Sequence, residues 1–409
     1  MAAVQRLSCL GLSAALATHL AVGAAFAYHA CRVVFNRVPP LSAKALWRML
    51  RVTRPLELAW RALTAPLRST PSVLLLGEVR CGTTSLASLL RSRLHLVGPF
   101  TPWVHPLAED KESFFFVGHY FRRVSPRLYR LCFPLRVPRW ARHALPEPPI
   151  VFDGCASHFS APWAAPLLRR ALATPKPLLL VCIREPVAQH VSWWRLEQGS
   201  MAWGDAMGLG SEYLGPPSRR GYPPPSFAAA VALSRSEEVC ALWREAEALA
   251  ADGRPLRVLP EWAAPFPNGQ LSAFDRMGRY ADNIERWLAH FPRECFVFIH
   301  LDDLADDPYP TLDLIASKCG QLFGRTPALQ PRPPRVPSGH ATPRLNAAPS
   351  LEPSLEPEPG LLRELAEHYR PHNERLFELI GRDLGWHSDP KYWYYQPPAS
   401  PRASGEAGD

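Results

Sequence analysis

The chain lacks the cysteine spacings that build metal sites. Its nine cysteines form no CxxC pair and no Cys/His ligand pattern, which argues against bound zinc. An odd count leaves at least one thiol without a partner in the chain. Whether Cys295 and Cys319 are bridged stays open at this level. No stretch alternates basic and aromatic residues as a nucleic-acid platform would, although the formal net charge is +9. That charge fits nucleotides, anionic glycans or a membrane surface, and equally a solvated basic exterior. A lysine is also missing. The glycine-spaced segment Gly77-Glu78-Val79-Arg80-Cys81-Gly82-Thr83-Thr84 carries Thr83 where a kinase or ATPase phosphate loop carries the lysine that reaches the β- and γ-phosphates.

Proline is abundant instead. The chain has 46 in 409 residues, well above a usual share of about 5%, and they cluster as in loops and linkers. The length suits one large α/β domain with extras, or two small ones.

Residues Leu7 to Cys31 are mostly apolar and long enough to cross a bilayer, which takes about 20 residues. A signal anchor over 1–36 is the expectation. A signal peptide cleaved near Ala25-Phe26-Ala27, a buried helix and a transit peptide remain alternatives. Positive charge is denser after the run (Arg32, Arg37, Lys44, Arg48) than before it (Arg6), which favours a cytosolic C-terminal part.

Residues 37–71 read as a stem and 72–388 as one domain. Val73 to Gly77, Ile150 to Phe152, Leu178 to Ile183 and Phe296 to Leu301 are short apolar runs that suit strands covered on both faces. Helical spacing follows at Thr83 to Leu94, Phe227 to Leu249, Ala281 to Phe291, Tyr309 to Phe323 and Leu361 to Ile380, with a kink expected at Pro371 and a stop at Gly381. Strands alternating with helices predict a three-layer α/β fold around a parallel sheet. Residues 204–270 and 325–359 read as insertions or loops, and 389–409 as a disordered tail.

The loop at Gly77 to Thr84 lets backbone N–H groups converge on phosphate oxygens, with a helix N-terminus behind them. Arg80 supplies the cation. Without the lysine the loop suits a 5′-phosphate bearing one transferable group. The plain alternative is a glycine turn between strand and helix.

Three matches together resemble the sulfotransferase family. The 5′-phosphosulfate loop of that family reads PKxGTTxL, and residues 79–86 read VRCGTTSL. Its second signature is a strand ending in Arg, then Asp/Glu-Pro, with a Ser eight residues after the Arg. Arg184-Glu185-Pro186 follows LLLVCI, and Ser192 lies eight residues on. The third match, Asp110-Lys111-Glu112-Ser113-Phe114-Phe115-Phe116, is similar to the Glu-x-x-Phe-Phe segment of the heparan sulfate branch. Gly278 to Pro292 and Tyr369 to Trp386 resemble later helices of the family.

The resemblance implies 3′-phosphoadenosine 5′-phosphosulfate (PAPS) as cofactor and no metal. Arg80, Cys81, Gly82, Thr83, Thr84 and Ser85 would hold its 5′ end, and Arg184 and Ser192 its 3′-phosphate. Glu112 would be the catalytic base, with Arg80 and Lys111 stabilising charge on the sulfuryl group. The implied acceptor is a glycan, an anionic polysaccharide in the heparan branch, and the implied location is the Golgi membrane with a lumenal catalytic domain. The chain departs from that branch twice. Its Glu-Lys-Ser/Thr-Pro segment matches Asp153-Gly154-Cys155-Ala156, and its Lys-Gly-Arg cofactor loop matches the proline-rich stretch from Ser338 to Arg344. A phosphate-loop kinase and a non-catalytic glycan-binding protein on a decayed sulfotransferase fold are the rival readings.

Overall fold

Apolar runs become strands because both of their faces are covered. In the computed structural model, described for residues 58–100, 111–116, 126–136, 149–206, 226–251, 274–332 and 356–397, strand β1 (Val73–Gly77) leads into helix α1 (Thr83–Leu94). Strand β2 (Phe152–Asp153), helix α2 (Ala164–Ala171), strand β3 (Leu178–Ile183) and helix α3 (Pro186–Ala206) follow. Helices α4 (Phe227–Arg235), α5 (Glu237–Ala251), α6 (Phe274–Gly278) and α7 (Tyr280–Leu288) precede strand β4 (Phe296–His300). Helices α8 (Leu301–Asp306), α9 (Pro308–Phe323) and α10 (Pro359–Ile380) come last.

The strands form one parallel sheet in the order β2-β1-β3-β4. Every residue of β1 and β3 is buried, as a parallel sheet with helices on its faces requires. This is the expected α/β architecture. From β1 the chain crosses to β2 on one side and then to β3 on the other, so the order reverses between β1 and β3. In open α/β sheets ligands bind at the carboxyl ends of the strands at such a reversal. Gly77 ends β1 beside Cys182 of β3, so the loops after the two strands emerge next to each other.

Gly77 is fixed by that pairing. Its φ is +121°, and a Cβ there would lie 2.5 Å from the Cys182 carbonyl oxygen and 2.6 Å from its nitrogen. Both contacts are backbone and cannot swing away. Gly77→Ala is therefore expected to cost about 2–4 kcal/mol, combining positive-φ strain with a wedge between central strands. Chemical denaturation of the full chain would check this.

The structure revises four boundaries. The expected helix from Phe227 to Leu249 is two, α4 and α5, broken at Ser236, whose hydroxyl donates to the Leu233 carbonyl at 2.9 Å. Phe227, Ala230, Val239, Trp243 and Ala246 are buried in the core, so this part of 204–270 is not a peripheral insertion; 207–225 and 252–273 lie outside the described residues. The stem ends earlier than expected. Arg61 and Arg68 are fully buried and donate to the carbonyls of Leu131 and Phe133, each at 2.8 Å. These bonds close the end of the 3-10 helix Pro126–Cys132. The expected tail is ordered at its start, because Pro390–Tyr395 forms a 3-10 helix whose Tyr392, Tyr394 and Tyr395 join the core. Finally, residues 325–332 of the expected 325–359 loop lie against the domain, with Gln330 donating its backbone N–H to the Arg93 carbonyl at 3.0 Å; 333–355 lie outside the description.

Helix α10 runs through Pro371 and stops at Gly381 with φ 73°. The apolar run from Leu7 to Cys31 and the stem before residue 58 also lie outside the described residues. Among those described, no helix is long and apolar enough to cross a membrane, and no cluster of His, Cys, Asp and Glu could hold a metal ion. Cys295 and Cys319 are both free thiols.

Candidate active site

The loop from β1 to α1 turns at Glu78, where the Cys81 N–H donates to the Glu78 carbonyl at 3.2 Å. Gly82 is the N-cap of α1, and the first helical bond runs from Leu86 N to Gly82 O at 3.0 Å. The N–H groups of Thr83, Thr84 and Ser85 precede that bond, in the position from which helix N-termini hold anions.

Arg80 sits in this loop with φ 70°, a left-handed conformation unfavourable for a residue with a Cβ. Its side chain crosses to α3, where Nε donates to the Ser192 hydroxyl at 3.0 Å. Arg184, at the end of β3, donates from Nη1 to the Arg80 carbonyl at 3.1 Å. Gln189 of α3 donates to the Val79 carbonyl at 2.9 Å. Arg80 thus meets Arg184 and Ser192, both named from sequence and more than a hundred positions further on. Burial, and then the charge of Arg184, pull the Arg80 guanidinium down to about 10. A bound anion would relieve both effects, which is what a phosphate subsite needs.

Lys111 Nζ lies 3.3 Å from the Thr83 hydroxyl and forms a short ion pair with Glu112. Both side chains are largely buried, with about one-seventh of their surface exposed (16% and 14%). The turn carrying them is fixed from below by Asp153, which sequence reasoning did not single out. Its carboxylate accepts the Ser113 N–H at 3.0 Å, the Ser113 hydroxyl at 2.6 Å and the Tyr129 hydroxyl. Gly154 N–H donates to the Lys111 carbonyl at 2.7 Å. Phe114, two residues beyond Glu112, again takes a positive φ of 50°. Strained backbone thus marks both halves of the site.

Gly154 also explains the first departure from the heparan branch. A Cβ at Gly154 would lie 2.8 Å from the Lys111 carbonyl oxygen and 3.3 Å from Lys111 Cγ. No side chain fits there, and the stem of Lys111 fills the adjoining space.

Cys81 takes a narrower part than expected. Its side chain is fully buried, 3.4 Å from the Tyr280 hydroxyl, and burial pushes the thiol up to about 12. Ser85 lies in the first turn of α1. The proline-rich stretch from Ser338 to Arg344, which matches the cofactor loop of the heparan branch, falls outside the described residues.

Glu78 is fully buried behind the loop, and neither carboxylate oxygen finds a well-aligned donor. Burial pushes the group up to about 8, only partly offset by Ser160, the Val79 backbone and the charges of Arg276 and Arg286. The folded protein then holds a proton here that the unfolded chain releases above its ordinary value of 4.5, so this group's contribution falls as pH rises from 4.5 towards 8. At pH 7 the cost is on the order of 3 kcal/mol. Glu78→Gln is expected to flatten that part of the stability profile. Urea denaturation at pH 5 and pH 8 measures it; an equal loss in both proteins would contradict the assignment.

The fold and loop define an α/β protein with a phosphate-loop turn at the sheet's switch point and no loop lysine. No protein-family model matches the chain. The chain is similar to heparan sulfate glucosamine 3-O-sulfotransferase 6 of Homo sapiens, 28% identical over 123 residues, which cover 27% of this chain and 34% of that protein. It is equally similar to heparan sulfate glucosamine 3-O-sulfotransferase 3B1 of Mus musculus, 28% identical over 120 residues, covering 27% of this chain and 30% of the relative. The match spans about a third of the length of these relatives. The crystal structure of a sulfotransferase from Alicyclobacillus acidocaldarius superposes with a TM-score of 0.42 at 20% identity, covering 78% of this chain and 98% of that one. The resemblance to the heparan branch of the sulfotransferases, read first from motifs, is thus present across an aligned stretch of sequence.

Proposed function

We propose that this chain is a sulfotransferase that moves a sulfuryl group from PAPS to a hydroxyl or amine of a glycan, an anionic polysaccharide being the acceptor class. The observation that carries the reading is the meeting of Arg80, Arg184 and Ser192 at the loop. Two guanidinium groups and a hydroxyl beside a helix N-terminus suit the 3′ and 5′ phosphates of one nucleotide. When bound, PAPS supplies the sulfuryl group on an activated phosphate.

The chain's residues supply the rest. Glu112 takes the proton of the attacking hydroxyl. Lys111, between Glu112 and Thr83, places its ammonium where charge develops on sulfuryl oxygens. Arg80 offsets charge on the departing phosphate. Asp153 holds the turn bearing Lys111 and Glu112, and Thr83, Thr84 and Ser85 offer their backbone N–H groups. We further propose a Golgi membrane location, anchored by the apolar run near the N-terminus, with the domain in the lumen; the basic residues after that run favour the opposite orientation, a rule that weakens for large translocated domains.

The test is transfer of labelled sulfate from PAPS to a panel of glycans, beside calorimetry with adenosine 3′,5′-bisphosphate. Binding of the bisphosphate without Mg²⁺, with label appearing in at least one glycan, is expected. Binding without transfer to any acceptor would favour a decayed, non-catalytic protein. Mg²⁺-dependent ATP binding with no bisphosphate affinity would favour a kinase.

A further inference from the structure

The carboxylate of Glu185 is held from four directions. It accepts the N–H groups of Val187 at 2.9 Å and Ala188 at 2.7 Å, and the hydroxyls of Tyr394 and Tyr395, the latter at 2.8 Å. The first two bonds cap α3, whose first helical bond runs from Gln189 N to Glu185 O at 2.9 Å. Glutamate is an unusual N-cap. Asp, Asn, Ser and Thr are preferred because their short side chains reach N2 and N3 with little freedom. The longer glutamate side chain needs outside support to keep the same place, and the two tyrosines provide it from more than two hundred residues away (210 for Tyr395).

We propose that Tyr394 and Tyr395 are positioning residues of the nucleotide site, acting through Glu185 on Arg184 and on helix α3. This rests on the nucleotide reading above. Glu185 directly follows Arg184, and α3 touches the loop twice, through Gln189 at Val79 and Ser192 at Arg80. A shift of the cap therefore moves the 3′-phosphate donors together. The tyrosines are themselves anchored. Asn373 of α10 donates to the Tyr395 hydroxyl at 2.9 Å, and Arg370 to the Tyr395 carbonyl at 3.2 Å. Arg363 lies over the Trp393 ring at 5.0 Å. Lys391 reaches Asp302 of α8 at 2.7 Å. The segment Pro390–Tyr395 is thus a strap from α10 and α8 to the start of α3. Burial raises the Glu185 carboxyl, and the tyrosine and backbone donors work against that rise, so removing donors weakens the charged cap.

The experiment uses the full chain and the variants Tyr394→Phe, Tyr395→Phe and the double variant, which keep the packed rings and remove the hydroxyls. Calorimetry with adenosine 3′,5′-bisphosphate and with adenosine 5′-monophosphate separates the 3′-phosphate from the rest of the nucleotide. The double variant is expected to lose about tenfold in bisphosphate affinity and less than about twofold for the monophosphate, the scale of hydrogen bonds to a charged group. In turnover, KM for PAPS rises while kcat stays within about twofold. A merely structural strap would lower the melting temperature and leave the preference between the two ligands intact, and that result overturns the proposal. If the double variant does not fold, Tyr394→Phe alone decides by the same ratio, since Tyr395 keeps its Asn373 contact. A wild-type protein that binds the two ligands equally overturns the nucleotide reading itself, whereas a wild type that prefers the bisphosphate beside an unchanged double variant overturns the strap alone.

Discussion

Glu112→Gln is expected to lower kcat for sulfuryl transfer by about 10²–10⁴-fold, the range spanned by a positioned general base. Affinity for adenosine 3′,5′-bisphosphate should stay within about threefold, because the amide keeps the size of the carboxylate and its acceptor oxygen towards Lys111. The two effects separate because the two groups contact different residues of the loop. Lys111 contacts Thr83 and Glu112, while the proposed nucleotide donors Arg184 and Ser192 contact Arg80. Stopped-assay turnover with saturating PAPS reads the first quantity and calorimetry the second. Wild-type turnover in Glu112→Gln removes the base from the mechanism. A parallel collapse of bisphosphate affinity would mean instead that the Lys111–Glu112 pair shapes the loop. Lys111 has the opposite test, since its loss should slow transfer without removing the base.

The placement of the candidate site residues was legible in the sequence wherever they lie on or beside a strand end. β1 and β3 read correctly because short continuous apolar runs bounded by turn signals suit a sheet covered on both faces, and Arg80, Arg184 and Ser192 sit at fixed offsets from those strands. Thr83 was conspicuous because it replaces a lysine. What supports these groups was harder to see. Asp153 belongs to a two-residue strand and resembles a surface acid until Ser113 and Tyr129 are found around it. The close fit of Gly154 against Lys111, where a Cβ would lie 2.8 Å from the Lys111 carbonyl oxygen, is announced by no pattern of residues. Arg61 and Arg68 looked like stem charges, yet both are buried as donors to carbonyls. The break at Ser236 was hidden because apolar spacing continues through it. The tyrosines at 394 and 395 follow a polar, proline-bearing stretch, and only their partner Glu185, far back in the chain, makes them structural.

Support from distant sequence also sets how the loop responds to its ligand. Arg80 holds a positive φ, and its carbonyl and guanidinium are each tied to a different element, β3's end and α3. With Gln189 bonded to Val79, the loop has three fixed points before any nucleotide is present. A loop so held loses little conformational freedom on binding, which favours affinity. The same rigidity makes the loop sensitive to the elements that hold it rather than to its own composition.

Arg184→Ala follows from that sensitivity and carries the second large effect. Affinity for adenosine 3′,5′-bisphosphate is expected to fall about 100-fold, as truncation of a charged donor at a phosphate does. Affinity for adenosine 5′-monophosphate should fall by less than about threefold, as the 3′-phosphate donor is not used there. Some loss for the monophosphate remains because the Arg80 carbonyl would lose the bond at 3.1 Å that steadies its φ of 70°. Arg184→Lys keeps the charge but not the planar fork, so it should recover only part of the preference. Calorimetry with both nucleotides at fixed ionic strength measures all three proteins, and the salt dependence of the bisphosphate signal should be shallower in Arg184→Ala than in wild type. Equal losses for the two nucleotides would mean that Arg184 supports the loop and does not touch the 3′-phosphate. Unchanged affinity for the bisphosphate would remove Arg184 from the site, and with it the observation on which the sulfotransferase reading stands.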